Sequence, residues 1–255
     1  MIVFTDVYKS FGPKKVLQGF SLEVPDGQTT VVIGYSGTGK SVALKHVVGL
    51  LDPDAGAVNV DGQVVHELDR AGLVALRSTI GFVFQFAALF DSLTVRENIT
   101  LGLKRQEVPQ REIDERIRES LALVDMEGSE DRYPIELSGG MRKRIGIARA
   151  IALKPQYLLY DEPTSGLDPV TSAVIDRLMV RAREKLGVTG LVVTHDMNSA
   201  YTVGDRIAML YKGAIRQVGT VEQIQRTHDP IVRQFIEGRP EGAEDAGGLD
   251  TQAVS

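Results

Sequence analysis

The sequence predicts an α/β fold whose mainly parallel sheet is covered by helices on both faces. Short apolar segments alternate with helical patterns along the chain, and parallel strands need such helical connections. Two of these segments, residues 29–33 and 157–160, are continuous apolar or β-branched runs, as strands buried on both faces require. A glycine-rich loop follows the first run and Asp161-Glu162 follows the second, so both strands end in residues typical of a phosphate site.

The first part of the chain is predicted to be rich in strands. Residues 2–4 and 20–24 have apolar or alternating patterns, and residues 56–65 are expected to form a hairpin. Residues 79–85 form a further predicted strand. Residues 41–51 have the apolar spacing of a helix directly after the glycine-rich loop, which is the context that a phosphate loop requires.

The rest of the chain alternates between helices and strands. Residues 92–131 are predicted to be a helical insertion, because four apolar side chains between Ile113 and Val124 form one stripe. A helix is expected to begin at Ser138, as its N-cap, and to run through Lys154, where Pro155 stops it. Three more elements are predicted from capping and turn residues: a helix from Asp168 to Gly187, a strand at 191–194 and a hairpin at 206–218.

The composition is that of a globular protein and excludes several classes of site. The 255 residues are 43% hydrophobic and 25% charged, and the absence of cysteine excludes disulfides, thiolate metal sites and thiol catalysis. No signal peptide and no apolar run of ~18 residues is recognised, so the chain is expected to be cytoplasmic and soluble by itself. Any membrane role would then require a partner.

The net charge of −5 is concentrated near the end of the chain. Five acidic side chains against one arginine give residues 237–255 a charge of −4. From Gly238 onward the sequence has no periodicity and is predicted to be a flexible acidic tail. The nearly neutral remainder lacks the basic face that nucleic-acid binding needs, so nucleic acid is not an expected partner.

Residues 34–41 match the G-x-x-x-x-G-K-[ST] pattern of a phosphate-binding loop. Glycines allow successive backbone N–H groups to curl around the α- and β-phosphates of a nucleotide. Lys40 can reach the β- and γ-phosphates, and the hydroxyl group of Ser41 can coordinate Mg²⁺. The residues predicted to bind nucleotide in this region are Gly34, Ser36, Gly37, Thr38, Gly39, Lys40, Ser41 and Val42.

The acidic pair after the strand at 157–160 is the second nucleotide signal. An aspartate at the carboxyl end of a strand can hold Mg²⁺, which assigns this role to Asp161. The adjacent Glu162 can then orient or deprotonate the attacking water. Alone, such a pair is more often a solvated acidic turn, but together with the phosphate loop it indicates a nucleotide site.

A third motif, residues 137–141, reads Leu-Ser-Gly-Gly-Met and resembles the LSGGQ signature loop of ATP-binding-cassette (ABC) ATPases. Ser138, Gly139 and Gly140 lie at a predicted helix N-terminus, where exposed N–H groups form an anion site. In that family the loop contacts the γ-phosphate held by the other protomer, which implies a homodimer with two shared ATP sites. The basic run at 142–144 is interpreted as a solvated helix face.

The other ABC motifs follow in the family's order, and the resemblance implies their roles. Phe11, with Tyr8 as the alternative, lies where the family stacks an aromatic ring on adenine. Gln85 resembles the Q-loop glutamine and His195 the switch histidine, while Asp168 resembles the last residue of the D-loop and can also cap a helix. The implied catalytic residues are Lys40, Gln85, Glu162 and His195, and the implied metal ligands are Ser41, Gln85 and Asp161.

The resemblance covers residues 1–236 and implies an ABC ATPase nucleotide-binding domain. Such a domain has a RecA-like P-loop core, an antiparallel β-subdomain and a helical subdomain. We therefore expect this domain at residues 1–237, its helical subdomain at about 92–131 and the acidic tail at 238–255. The implied activity is hydrolysis of Mg²⁺-bound ATP, in which ATP binding closes a dimer and hydrolysis reopens it.

The apolar character of residues 86–95 indicates an interface. In the family, a membrane permease contacts the region near 85–100. This segment, Met141 and residues 232–238 resemble the ATPases of Mla/Mce-type phospholipid transporters. That likeness implies permease subunits, an Mce-type lipid-binding subunit and a small accessory protein as partners, on the cytoplasmic face of the bacterial inner membrane. The alternatives are the ATPase of another importer or exporter, for amino acids, metals or lipoproteins, and a soluble ABC scaffold, as in iron–sulfur cluster assembly, or a translation factor.

Overall fold

In the computed structural model, the described residues, 1–239, contain ten strands and nine α-helices. The strands are β1 (Ile2–Phe11), β2 (Lys14–Val24), β3 (Thr29–Ile33), β4 (Ala55–Val60), β5 (Gln63–Val64), β6 (Ile80–Val83), β7 (Tyr157–Asp161), β8 (Thr189–Thr194), β9 (Arg206–Tyr211) and β10 (Ala214–Thr220). The helices are α1 (Lys40–Val47), α2 (Arg70–Ser78), α3 (Val95–Arg105), α4 (Gln110–Leu123), α5 (Gly139–Ala152), α6 (Pro169–Leu186), α7 (Met197–Val203), α8 (Val221–Gln225) and α9 (Pro230–Ile236).

The strands form two sheets. The larger sheet has the order β10-β9-β3-β8-β7-β6, in which every pair is parallel except the edge pair of β10 with β9. The smaller sheet is antiparallel, with the order β2-β1-β4-β5. The predicted α/β class with a mainly parallel sheet is confirmed, and the carboxyl ends of β3, β6, β7 and β8 meet at one edge, where ligands of such sheets bind.

Both faces of the six-stranded sheet are buried. Val31 and Ile33 of β3 pack into a core formed with helices α3 to α7, whereas Val32 between them packs into a second core with α1 and the antiparallel sheet. Similarly, Leu158 of β7 packs into the first core and Leu159 packs into the second. Since successive side chains of a strand point to opposite faces, continuous apolar runs are needed to fill both cores.

The helical segment after β6 consists of α3 and α4. Ile113 and Val124 of the predicted stripe are buried, as are the two members between them, Ile117 and Leu121. Thr94 and Glu97 form a capping box that starts α3. The buried Asn98 donates hydrogen bonds to the carbonyl oxygens of Phe90 and Leu93, at 3.1 and 3.0 Å, so the loop after β6 is fixed to this helix.

Several elements differ from the sequence prediction: β2 begins at Lys14 instead of residue 20, α1 ends at Val47 instead of residue 51, and α7, α8 and α9 were not predicted. Strand β1 continues to Phe11 rather than ending at residue 4, because register shifts against β2 break the alternating pattern. Helix α2 was not predicted; its N-cap is Asp69 and Leu76 is its one fully buried side chain. The helix that follows Ser138 ends at Ala152, two residues earlier than expected. Within residues 1–239 none of the helices combines the length and the apolar character that a bilayer span requires.

Candidate functional site

A cleft of about 520 Å³ opens at the carboxyl edge of the six-stranded sheet. It brings together the loops that follow β3, β6, β7 and β8 with the end of β1. Its lining contains many of the predicted site residues, namely Phe11, Ser36, Gly37, Gly39, Lys40, Ser41, Val42, Gln85, Glu162 and His195, together with Lys14, Val16 and Ser165. Segments that are distant in sequence thus converge on one space.

The phosphate loop depends on glycine at two positions. Gly37 and Gly39 have φ angles of 78° and 107°, in the left-handed region that glycine adopts without strain. A Cβ atom on Gly39 would also lie 2.7 Å from Cγ1 of Val16. The hydroxyl group of Thr38 donates a 2.8 Å hydrogen bond to the carbonyl oxygen of Tyr35, which closes the loop before α1 begins.

Lys40 lies at the floor of the loop and is only 5% exposed. Its Nζ donates hydrogen bonds to the carbonyl oxygens of Gly34 and Tyr35, at 2.7 and 3.1 Å, and lies 3.4 Å from Oε1 of Glu162. Burial lowers the pKa of Lys40, and the negative charge of Glu162 opposes that shift. The ammonium group is therefore poorly hydrated and lies among oxygen acceptors, as a phosphate-binding lysine should.

Ser41 and Asp161 meet across the site. Ser41 Oγ donates a 2.6 Å hydrogen bond to Oδ1 of Asp161, although 120 residues separate them in sequence. Burial raises the pKa of Asp161, and the hydrogen bond from Ser41 opposes that shift. Hydroxyl and carboxylate oxygens suit Mg²⁺, which binds through one or two protein ligands plus phosphate oxygens. Residues 1–239 contain no cluster of three or more His, Asp or Glu side chains that could hold a metal ion alone.

Glu162 and His195 form the polar wall opposite the phosphate loop. His195 Nδ1 lies 2.8 Å from Oε2 of Glu162, whose side chain is buried while that of His195 is half exposed. Glu162 has a φ angle of 47°, a left-handed conformation that is disfavoured for residues with a side chain. Its backbone N–H donates a 2.9 Å hydrogen bond to the carbonyl oxygen of Val193, so the conformation is held by the neighbouring strand.

Gln85 and Phe11 occupy the sides of the cleft. Gln85 Nε2 donates a 3.3 Å hydrogen bond to Oγ of Ser165, a residue of the predicted D-loop. Phe11, which is 46% exposed, lines the cleft, whereas Tyr8 does not, although it is equally exposed. Of the two aromatic candidates for adenine stacking, Phe11 is therefore the one in a suitable place.

The signature loop and the D-loop aspartate do not line the cleft of their own chain. Ser138 caps α5 by accepting a 3.3 Å hydrogen bond from the N–H of Met141, and Ser138 and Gly139 are exposed. Asp168 caps α6 by accepting hydrogen bonds from the N–H groups of Val170 and Thr171, both at 3.0 Å. The signature loop and Asp168 therefore lie at helix N-termini, as predicted.

The interpretation of residues 142–144 as a solvated face is wrong for Lys143. Arg142 is exposed, but Lys143 is only 7% exposed and its Nζ donates hydrogen bonds to the carbonyl oxygens of Gln85 and Glu162. Helical phase gave no signal for this, because all three basic residues lie three or four positions before fully buried residues of α5. The prediction that Lys143 is exposed rested on its positive charge alone.

Residues 17–165 match the family model described as ABC transporter. The chain is 41% identical over 232 residues to "Probable ribonucleotide transport ATP-binding protein mkl" of Mycobacterium tuberculosis, which covers 91% of this chain and 65% of that protein. It is also 41% identical over 263 residues to "Protein TRIGALACTOSYLDIACYLGLYCEROL 3, chloroplastic" of Arabidopsis thaliana, covering 95% of this chain and 75% of that protein.

A solved structure has the same fold. The dimeric ATP-binding cassette MJ0796, in a post-hydrolysis state bound to ADP and Pi, superimposes with a TM-score of 0.79 at 33% identity. The match covers 87% of this chain and 99% of that chain. The chain therefore belongs to the ABC transporter family and has the fold of its ATP-binding cassettes.

Proposed function

We propose that this chain is the ATP-hydrolysing subunit of an ABC transporter and that it acts as a homodimer. The observation that carries this proposal is the convergence of three pairs at one cleft: Lys40 with the phosphate-loop carbonyls, Ser41 with Asp161 just behind the lining, and Glu162 with His195. Phosphoryl transfer is catalysed mainly by positioning and by stabilisation of charge, and these pairs supply both.

Each side chain has a role that follows from its place. Lys40 exchanges its carbonyl partners for the β- and γ-phosphate oxygens of ATP, and the backbone N–H groups of residues 36–41 surround the same phosphates. Phe11 stacks on the adenine ring. Glu162 accepts a proton from the attacking water, and His195, 2.8 Å from its carboxylate, orients Glu162 and donates a hydrogen bond to the γ-phosphate.

Ser41, Asp161 and Gln85 are the proposed ligands of Mg²⁺. When bound with ATP, the ion would supply positive charge that stabilises the negative charge developing on the phosphate oxygens. The 2.6 Å contact between Ser41 and Asp161 keeps both oxygens at one side of the phosphate loop before ATP arrives. Gln85, bonded to Ser165, is held at the cleft wall from which its amide oxygen can approach the ion or the water.

Two copies are needed because one chain lacks a cover for its cleft. We propose that Ser138, Gly139 and Gly140 of the partner approach the γ-phosphate with the exposed N–H groups at the start of α5. Asp168, at the start of α6, couples the two sites. The dimeric state of the similar cassette MJ0796 supports this arrangement.

The loop after β6 is the proposed contact for the membrane permease. Phe86 and Phe90 are 85% and 59% exposed, which is uncommon for two large apolar side chains on one loop. Arg149 donates hydrogen bonds to the carbonyl oxygens of Ala87 and Ala88, so the loop is held rigidly. A permease seated near residues 85–100 would place the chain on the cytoplasmic face of the inner membrane of a bacterium.

Phospholipid is the proposed transport substrate, with an Mce-type lipid-binding subunit and a small accessory protein as further partners. The similar chloroplastic protein, whose name refers to a galactolipid, aligns with 95% of this chain and supports a lipid. The mycobacterial relative, equally identical and named for ribonucleotide transport, favours a nucleotide as the second candidate.

Purification of this chain with its partners from native membranes, in mild detergent and with mass spectrometry of proteins and lipids, tests these assignments. A permease that copurifies with an Mce-type protein and phospholipid is the expected result. Copurification of a permease with a solute-binding protein would indicate that the substrate is not a lipid. Copurification of soluble partners alone would contradict the transport role.

The change Glu162→Gln tests the hydrolytic activity. We expect kcat to fall by about 10²- to 10⁴-fold, because the amide cannot accept the proton of the attacking water. Affinity for ATP should stay within about threefold, since the phosphate loop is unchanged. Glu119→Gln, an exposed position on α4, is the matched control and should hydrolyse ATP like the wild type. Undiminished turnover in Glu162→Gln would contradict the proposed mechanism.

A further inference from the structure

Lys143 is a buried cation on the helix that begins at the signature loop. It lies five residues after Ser138 on α5 and only 7% of it is exposed. Gly139 and Ile147, four residues before and after it, share its face of the helix. A charged side chain on such a face is costly unless it is hydrogen-bonded, so its partners are informative.

Those partners are the backbones of two segments of the cleft. Lys143 Nζ donates hydrogen bonds to the carbonyl oxygens of Gln85 and Glu162, the second at 3.3 Å. Gln85 follows β6 and Glu162 follows β7, and the pairing of these adjacent strands ends at Val83 and Tyr160. The ammonium group of Lys143, which has three N–H donors, thus links the two segments beyond the point where strand pairing ends.

Glu162 is the residue that most needs such support. Its left-handed backbone, with a φ angle of 47°, is disfavoured for a residue with a side chain and persists only when surrounding contacts impose it. The N–H of Glu162 is held by Val193 on β8, and its carbonyl oxygen by Lys143 on α5. Together, these two contacts fix where the carboxylate points.

The charge of Lys143 also suits the site. Four charged side chains are buried here, two cations and two anions: Lys40, Lys143, Asp161 and Glu162. Burial lowers the pKa of Lys143, and the charges of Glu162 and Asp161 oppose that shift. Loss of this cation would leave an excess of buried negative charge beside the position proposed for the γ-phosphate.

We infer that Lys143 is a positioning residue that holds Gln85 and Glu162 in register and links both to the signature loop of its own chain. The inference rests on the proposed ATPase function. A displacement of Ser138 by nucleotide on the partner would shift α5, and Lys143 would transmit that shift to the two segments of its own cleft. Because Lys143 does not line the cleft, it affects the rate of hydrolysis rather than the binding of ATP.

Three variants of the full chain test this inference. Lys143→Met removes the charge and the donors at similar length, Lys143→Arg keeps both, and Arg142→Met removes a charge from the exposed neighbour. We expect Lys143→Met to lower kcat by about 10- to 100-fold, as small misplacements of reacting groups do. Its Kd for ATP, measured by calorimetry, should change less than about threefold. Lys143→Arg and Arg142→Met should stay within about threefold of the wild type in both quantities.

The outcomes separate this inference from the proposed function. If Lys143→Met turns over like Arg142→Met, or loses ATP affinity as much as kcat, the inference is overturned while the ATPase stands. If Lys143→Met does not fold by circular dichroism, Lys143→Gln replaces it under the same criteria; failure of both to fold would make Lys143 purely structural and overturn the inference. A wild-type chain without hydrolysis would overturn the proposed function, and this inference with it.

Discussion

The two parts of the proposed ATP site differ in charge and burial. The cleft half, formed by Lys40, Ser41, Asp161, Glu162 and His195, contains paired charged groups, three of which are less than 10% exposed. The signature half, residues 138–140, carries no charged side chain and presents Ser138 and Gly139 at the surface. One half is assembled and rigid within the chain, whereas the other is an exposed helix terminus.

This difference indicates how the halves work together. Partly buried pairs such as Ser41 with Asp161 preorganise a site before its ligand binds, because their geometry is fixed by the sheet edge. An exposed helix N-terminus provides N–H groups that gain a partner only when an anion is brought to them. The halves are therefore complementary between two chains and not within one chain.

The largest effect is expected from a negative charge in the signature half. Gly139→Asp places a carboxylate where the partner's γ-phosphate should approach, and like charges in contact cost several kcal/mol. We expect ATP-dependent dimerisation to weaken at least about 100-fold, while the monomer binds ATP as before. Gly139→Ala is the control, because a Cβ atom there would meet nothing closer than Leu167 Cδ2 at 3.8 Å. Analytical ultracentrifugation measures dimerisation of both variants. If Gly139→Asp and Gly139→Ala dimerise equally, the signature loop is not part of the ATP site.

A somewhat smaller effect is expected in the cleft half. Lys40→Ala removes charge-assisted hydrogen bonds to the phosphates, each worth about 1.5–3 kcal/mol, so Kd for ATP should rise about 10- to 100-fold. Lys185→Ala, at an exposed position near the end of α6, should leave Kd unchanged. Calorimetric titration with ATP measures both values. Unchanged affinity of Lys40→Ala would argue against the phosphate-loop assignment.

The smallest effect concerns an incompletely paired carboxylate behind the cleft. Asp176 on α6 is 4% exposed; Oδ2 accepts a 3.0 Å hydrogen bond from Ser199, while Oδ1 has no partner among the described residues. Burial raises the pKa of Asp176 from 3.8 to about 6. Between these values the folded chain keeps a proton that the unfolded chain has lost, so stability falls as pH rises across this window.

Asp176→Asn removes this penalty and should stabilise the chain at pH 8 by about 1–2 kcal/mol, or a few degrees in Tm. At pH 4 the gain should nearly vanish, because the native carboxyl group is then protonated. The exposed Asp91→Asn is the control and should change Tm at neither pH. A gain that does not depend on pH would show that titration of Asp176 is not its cause.

Local sequence patterns predicted much of the cleft half. The phosphate loop directly follows β3, the acidic pair lies at the end of β7, and His195, identified by the family resemblance, directly follows β8. Parallel strands bring these carboxyl ends to one edge. The caps at Ser138 and Asp168 were also predicted, because capping depends on residues two or three positions away. These features are local or follow from the sheet topology.

Features that depend on packing were not predicted. Lys143 lies between two arginines, and only its packing against the segments after β6 and β7 distinguishes it from them. The polar part of β1, which ends at Phe11, pairs through register shifts that hide its alternating pattern. The flexible acidic tail predicted for residues 238–255 lies, from residue 240 onward, outside the described structure.

The mass of the Glu162→Gln chain in solution, with and without Mg²⁺ and ATP, tests the central claim most directly. Light scattering should give 27.8 kDa without nucleotide and twice that value with ATP, since the variant keeps both halves but cannot complete hydrolysis. Adding Gly139→Asp to the same chain should restore the monomer mass in ATP. A chain that binds ATP tightly and yet remains monomeric under all conditions would contradict a site shared between two copies.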